Sequence, residues 1–264
     1  MKNNLNFFLI ALGVFSGLFS CMGQKGASSW NLVWQDEFEN TGAPNSENWE
    51  FSSRGNANWN CYCANNPGTT LVKDGKLHLR GIITTEADST KYQTGCIQTK
   101  DNFSFKYGKV EVRARLDKGK GSWPAIWMMP QDPQYGGWPH SGEIDIMEHL
   151  NFDTIVYQTI HSTYVDVQHK KETPINFATA AFKEGEFNVF GLEWYPDRLD
   201  FFLNGEKTFT YPRIEGSTTE QWPFDQEFYI ILDQALGVSW VGEIHDKDLP
   251  VEMIVDWVRV YQEN

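Results

Sequence analysis

Residues 143–148 read Glu-Ile-Asp-Ile-Met-Glu, three acids in six positions with large apolar side chains between them. Side chains on a strand alternate between faces, so Glu143 and Asp145 share one face while Ile144 and Ile146 take the other. The next step, from Asp145 to Glu148, is three residues, and plain alternation would turn Glu148 away. A β-bulge at Met147 inserts the extra residue that brings Glu148 back beside Asp145. The two glutamate backbones then stand four strand steps apart, roughly 13 Å at ~3.3 Å per step. Side chains that lean together by ~4 Å each bring the carboxyls to roughly 5 Å. That separation suits a double displacement at a sugar: one carboxylate attacks the anomeric carbon and the other carboxyl protonates the departing oxygen. Crowding three acids also raises the pKa of at least one, which keeps a proton available near neutral pH.

Such acids need a stiff sheet under them, and the rest of the chain reads as strands. KLHLRGI (76–82) alternates. GKVEVRARL (108–116) sets Val110, Val112 and Ala114 on one face, with Glu111, Arg113 and Arg115 on the other. RLDFFLNGEKTFTY (198–211) reads as two strands joined at Asn204-Gly205, because both residues tolerate positive φ. FYIILDQAL (228–236) and MIVDWVRVYQ (253–262) close the chain. Gly, Pro, Asn and Asp separate the runs, and no long amphipathic helix, repeat or low-complexity segment interrupts them. Many short strands with both faces to fill predict an all-β fold of two packed sheets.

Composition narrows the ligand. The formal net charge is −13 over 264 residues, with no Lys/Arg cluster, so the counterion release that drives nucleic-acid binding has no footprint here. Neutral ligands fit best. The 11 tryptophans serve a core, and exposed ones offer flat apolar faces for sugar rings.

The N-terminus carries Lys2, an apolar run from Phe7 to Phe19, and Ser20-Cys21. This reads as an export signal, and Leu18-Phe19-Ser20-Cys21 resembles the bacterial lipoprotein box in which the cysteine is lipidated. The expected organisation is a signal over 1–21, a polar tether over 22–29 and one folded domain over 30–264. The expected location is outside the cytoplasm, as an outer-membrane lipoprotein facing the surface or the periplasm. The membrane is met only through the lipid. Cys61 and Cys63 point to opposite faces of an extended segment and do not pair readily with each other, so one of them could pair with Cys96.

The stretch Glu143–Glu148 resembles the signature of glycoside hydrolase family 16, in the bulged form of its laminarinase-like members. LVWQDEF (32–38), YGKVEVRARL (107–116), SWPAIWMMP (122–130), TIHS (159–162), GLEWYPDRLDFFLNG (191–205), FYIILDQALG (228–237) and VDWVRVYQ (255–262) follow in the family's order. The resemblance implies a concanavalin A-like β-jelly roll with a concave cleft and a retaining mechanism. It implies Glu143 as nucleophile, Glu148 as general acid/base and Asp145 between them. It places His161 close to the acid/base and Trp123 and Trp127 along the sugar site. Trp138 and Trp240 are candidates for outer subsites, and Arg54 and Asn56 for a cleft-rim loop. No cofactor is expected for catalysis. Many members hold a structural Ca²⁺ away from the cleft, and Glu37 and Asp256 are the positions here.

Two stretches depart from the laminarinase-like pattern: LDQALGVSW (232–240), where LNLAVGG.W is common, and the loop NANWNCYCANNPG (56–68). The leading expectation is a monomeric retaining endo-β-glycosidase acting on β-1,3 or mixed β-1,3/1,4 glucan. The alternative is an endo-β-galactosidase acting on galactose-containing glycans, such as mucin-type O-glycans or algal galactans. A non-catalytic glycan-binding lipoprotein has no use for three crowded acids. A transglycosylase would share the covalent intermediate and hand it to a sugar rather than to water.

Overall fold

The alternating runs fold as strands. The computed structural model describes residues 29–84 and 90–263, together with Met1. The export signal and Cys21 therefore lie outside the described residues. Strands β1 (Trp30–Asp36), β2 (Glu50–Phe51), β3 (Thr70–Lys73) and β4 (Lys76–Ile83) come first. Next are β5 (Tyr92–Thr94), β6 (Cys96–Gln98), β7 (Gly108–Leu116) and β8 (Ser122–Pro130), and the acidic segment is β9 (Glu143–Glu148). After β10 (Ile155–His161) comes a single π-helical turn (Thr163–Val167). Strands β11 (Phe177–Ala181), β12 (Asn188–Trp194), β13 (Arg198–Leu203), β14 (Glu206–Pro212) and β15 (Phe228–Leu236) follow. The short helix α1 (Val238–Val241) precedes the last strand, β16 (Val251–Glu263).

The strands pair antiparallel in two sheets. The nine-stranded sheet runs β14-β13-β12-β7-β16-β4-β3, with β1 on β16 and β5 on β4. The seven-stranded sheet runs β11-β10-β9-β8-β15-β6-β2, which sets the acidic strand between two neighbours rather than at an edge. Between the sheets lies one continuous apolar core. Val110, Val112 and Ala114 of β7 meet Ile126 and Met128 of β8, Ile144 and Ile146 of β9, and Ile230 and Leu232 of β15, all fully buried. Each Val, Leu, Ile or Met among them contributes about 1.5–3 kcal/mol through removal from water. The other face of β7 carries Glu111 and Arg113, which pair with Lys109 and Asp256. The alternation in the sequence is thus the alternation of the sandwich.

The hairpin at Asn204-Gly205 is as expected. Leu203 pairs with Glu206, and Asn204 and Gly205 hold φ of 53° and 83°, the two left-handed positions of a tight two-residue turn. Cysteine pairing is settled in favour of Cys63–Cys96, leaving Cys61 as a half-buried thiol. This bond ties the 56–68 loop down onto β6. The loop's Trp59 packs against a second apolar cluster on the outer face of the seven-stranded sheet, made of Ala125, Trp127, Tyr229 and Ile231. Burial on that outer face is unusual for a two-layer sandwich, and it marks where the sheet is roofed rather than bathed.

Candidate active site

The acids of β9 are placed by registers on both sides. Glu148 pairs with Tyr157 of β10 and Ala125 of β8, Asp145 pairs with Thr159 and Trp127, and Glu143 pairs with His161. Partners on β10 are evenly two apart, so Glu143 and Glu148 are four partner steps apart, roughly 13 Å along the sheet. The register shifts between Tyr157 and Thr159, and again between Ile126 and Trp127, so the extra residue sits where the spacing demanded a bulge. One detail differs. The bulge is shared by Ile146 and Met147, and both side chains are fully buried in the core. Two successive residues enter the core because neither can face the acids.

All three acids share the outer face of the sheet. Asp145 and Glu148 are buried and Glu143 is partly open. Burial, reinforced by the neighbouring Asp145 charge, pushes the Glu143 carboxyl up to about 8. The same two causes push Glu148 well above the usual carboxylate range. Their neighbours then differ. The imidazole Nε2 of His161 lies 3.8 Å from Glu143 Oε1 and 3.4 Å from Asp145 Oδ2. Each carboxyl has an indole donor, Trp138 for Glu143 and, at 3.0 Å from Glu148 Oε1, the Nε1–H of Trp123. The imidazole stands beside Glu143 while Glu148 lies two strand pairs away, so the cation favours ionisation of Glu143 over that of Glu148.

His161 thus stands beside Glu143 and Asp145 rather than nearest Glu148. Its other nitrogen, Nδ1, faces Asp166 on the π-helical turn, with both carboxylate oxygens at 3.1 Å. Burial works against the imidazolium, but the nearby Asp145 carboxylate and the hydrogen-bonded Asp166 outweigh it and raise the His161 pKa well above its usual value.

Two cavities flank the acids. The larger, about 560 Å³, is lined by Trp123, Glu143, Glu148, Tyr157, His161 and Trp240 among others. The smaller, about 80 Å³, lies toward β15 and takes in Trp59, Trp127, Asp145 and Asp233. Trp123 faces both, with Trp240 edge-on at 5.7 Å between ring centres. Trp240 is 46% exposed and Trp138 56% exposed, and the Trp138 ring lies 5.8 Å from that of His161. Trp127 is only 5% exposed. Its Nε1–H donates to Asp233 Oδ1 at 2.7 Å and its ring meets Trp59 at 4.9 Å, so it offers the cleft little open surface.

Sequence reasoning passed over Asp233, Asp166, Trp59 and Tyr157. Asp233 sits in the divergent LDQALG stretch and pairs with Ala125, in the same cross-sheet row as Glu148. It is fully buried, its Oδ2 has no hydrogen-bond partner, and burial pushes its carboxyl up to about 8. An acid inside an apolar run was the available signal. Asp166 had none, because its contact depends on the turn geometry.

Four expected site residues stand apart from the two cavities, and three of them have other partners. Arg54 and Asn56 are exposed and line neither cavity. Arg54 Nε donates to the Cys63 carbonyl at 3.3 Å, bracing the loop from behind. Glu37 and Asp256 do not fit a calcium site. The Arg259 guanidinium grips both oxygens of Glu37 at 2.7 and 3.0 Å, and Asp256 pairs with Arg113 and Lys76. Hard cations need carboxylate oxygens that are not already neutralised.

Comparison with known proteins gives the family. The profile of Glycosyl hydrolases family 16 matches residues 58–259. A keratan-sulfate endo-1,4-beta-galactosidase of Sphingobacterium multivorum is 41% identical over 237 residues, covering 89% of this chain and 56% of that protein. This chain therefore spans little more than half of that relative's length. A beta-glucanase of Rhodothermus marinus is 31% identical over 271 residues, covering 97% of this chain and 93% of that one. The solved laminarinase from Rhodothermus marinus superposes with a TM-score of 0.80 at 29% identity, over 90% of this chain and 99% of that chain. The all-β jelly-roll sandwich, the acids gathered on one face of it and the matched profile lead to one conclusion: this chain belongs to glycosyl hydrolases family 16.

Proposed function

We propose that the protein is a retaining endo-β-glycosidase that cleaves internal β-1,3 or β-1,3/1,4 linkages of a β-glucan. The observation that carries this reading is the unequal pair of glutamates. Glu143 has a histidine cation beside it and attacks the anomeric carbon as the carboxylate. Glu148, kept protonated by burial and by the Asp145 charge, gives its proton to the departing oxygen. In the second half Glu148 takes a proton from water, which releases the sugar from Glu143 with its configuration kept. Asp145 supplies the charge that raises both neighbours. Trp123 and Trp240 give the chain of sugars its apolar wall on the side of the larger cavity.

A second reading has its own support. The galactosidase relative is 41% identical to this chain over 237 residues, and the LDQALG stretch contributes Asp233 to the smaller cavity. On that reading the cleaved sugar is galactose. We also read Cys21 as a lipid anchor and the protein as monomeric, on the strength of the box at Leu18–Cys21 and the absence of any sequence feature calling for a partner. Cys21→Ala should abolish incorporation of a labelled fatty acid.

The deciding experiment is a product profile on laminarin, mixed-linkage glucan, galactans and mucin-type O-glycans, with Glu143→Gln as control. Glucan oligosaccharides absent from the control support the first reading, and products from galactose-containing chains alone move the protein to the second. No product from a folded wild type defeats both. Glu143→Gly rescued by azide, with a glycosyl azide of inverted configuration, supports Glu143 as nucleophile.

A further inference from the structure

We propose that Asp166 is a positioning residue that holds His161 doubly protonated beside the nucleophile, so that Glu143 ionises in a pocket already carrying the Asp145 charge. The inference rests on the nucleophile assignment above and adds to the site a residue one turn away from the acids.

The geometry leaves His161 little choice. Nδ1 faces both oxygens of Asp166 at 3.1 Å, and Nε2 faces Asp145 Oδ2 at 3.4 Å and Glu143 Oε1 at 3.8 Å. A neutral imidazole carries one N–H, and the other nitrogen would then point a lone pair at a carboxylate. With acceptors at both ends the imidazolium is the matching species.

The turn makes Asp166 a fixed partner. Ser162 leaves β10 in an extended conformation and its Oγ accepts the Val165 N–H at 3.3 Å. The Asp166 N–H donates to the Ser162 carbonyl at 2.9 Å, and Asp166 Oδ2 accepts the Ser162 N–H at 3.1 Å. A π turn widens the helix by one residue, and here it swings Asp166 back over the residue that precedes its own cap. The carboxylate is therefore aimed before any substrate arrives.

Other charges around His161 do not supply this cation or replace its partner. β9 contributes Glu143, Asp145 and, farther along, Glu148. The wall of the same cavity carries Lys171 next to Glu172, adjacent residues of opposite sign. The Trp138 loop contributes an uncharged ring, and its His140 is turned to Thr163 Oγ1 at 2.8 Å. Without Asp166 the imidazole keeps only the Asp145 and Glu143 carboxylates on its Nε2 side and loses its proton at lower pH than in the wild type. Glu143 then faces Asp145 without an imidazolium beside it over more of the pH range, and its ionisation moves to higher pH.

The test uses the whole chain with Asp166→Asn, which is nearly isosteric and still accepts the Ser162 N–H. In ¹⁵N-labelled wild type, the His161 imidazole should remain doubly protonated through neutral pH, and in Asp166→Asn it should titrate at lower pH. The acidic limb of kcat/KM should rise by about one pH unit, with about a tenfold loss at neutral pH. In a His161→Gln background the same substitution should add nothing to the loss. A neutral His161 in wild type overturns the proposal without any variant. So does an unmoved acidic limb, or an equal loss in the His161→Gln background, which would make Asp166 a brace for the turn. Failure of azide rescue in Glu143→Gly would remove the nucleophile assignment alone, because the imidazole titration reads the Asp166–His161 contact directly.

Discussion

Replacing Trp123 with Phe removes one hydrogen bond at the proposed acid and leaves an aromatic ring in place. The indole Nε1–H is 3.0 Å from Glu148 Oε1, and Glu148 is 7% exposed, so water does not readily substitute for that donor. A donor to the charged form favours the charged form. Trp123 therefore holds the Glu148 pKa below the level that burial and Asp145 would set without it. A hydrogen bond to a charged group is worth about 1.5–3 kcal/mol, and one pKa unit is about 1.4 kcal/mol, so its loss raises Glu148 by about one to two units. Glu148 must carry its proton for the first chemical step, and kcat/KM reports that step from the free enzyme. The alkaline limb of kcat/KM should move up by about one to two pH units while the acidic limb, set by Glu143, stays in place. The assay is kcat/KM across the pH range on the best substrate of the product profile, with thermal melting as a check on folding. An alkaline limb that stays put, in a folded variant, refutes the assignment of Trp123 as the partner of the acid. An acidic limb that moves instead would mean that the indole serves the nucleophile.

Deleting Met147 should restore plain alternation and turn Glu148 toward the core. Turnover should then fall by about 10²–10⁴, the usual worth of a placed proton donor, and a folded deletion variant with near-normal rate would show that the bulge is dispensable. Asp233 binds its proton more tightly in the folded chain, at about 8, than in the unfolded chain, near 3.8. Wild-type stability therefore declines as pH rises between those values, and Asp233→Asn removes the decline. Thermal melts should show the variant gaining about 2–4 °C or more at pH 8 and little at pH 4, and equal curves at both would mean that the carboxyl is not held neutral. Replacing both Cys63 and Cys96 with Ala opens a loop whose ends are 33 residues apart, which should cost about 2–4 kcal/mol in urea unfolding; an unchanged midpoint would show that the loop is held by its other contacts.

What could be seen in the sequence was whatever is periodic or local. The alternation of Val110, Val112 and Ala114 and the Asn204-Gly205 turn each depend on a few neighbouring residues, and the structure keeps them. The three acids were legible because their misfit spacing has one economical repair, although its division between Ile146 and Met147 is decided by core packing that the strand alone does not contain. That His161 pairs with Glu143 was not legible, since the register between β9 and β10 is a long-range property. Glu37 and Asp256 looked available until Arg259, Arg113 and Lys76 arrived from other strands. Asp166 and Asp233 escaped for the same reason. A carboxylate acquires its partners, or its lack of them, only when the sheets close.

The bond between Cys63 and Cys96 has a consequence beyond its effect on unfolding. It holds the segment that carries Trp59 against Trp127, and those two rings wall the smaller cavity. One wall of the cleft thus carries a covalent tie besides its backbone bonds, Ala64 N–H to the Thr94 carbonyl and Thr94 N–H to the Tyr62 carbonyl. Where thiols stay reduced, those bonds hold the wall without the tie, so the redox state of the surroundings bears on the shape of the cleft as well as on the stability of the chain.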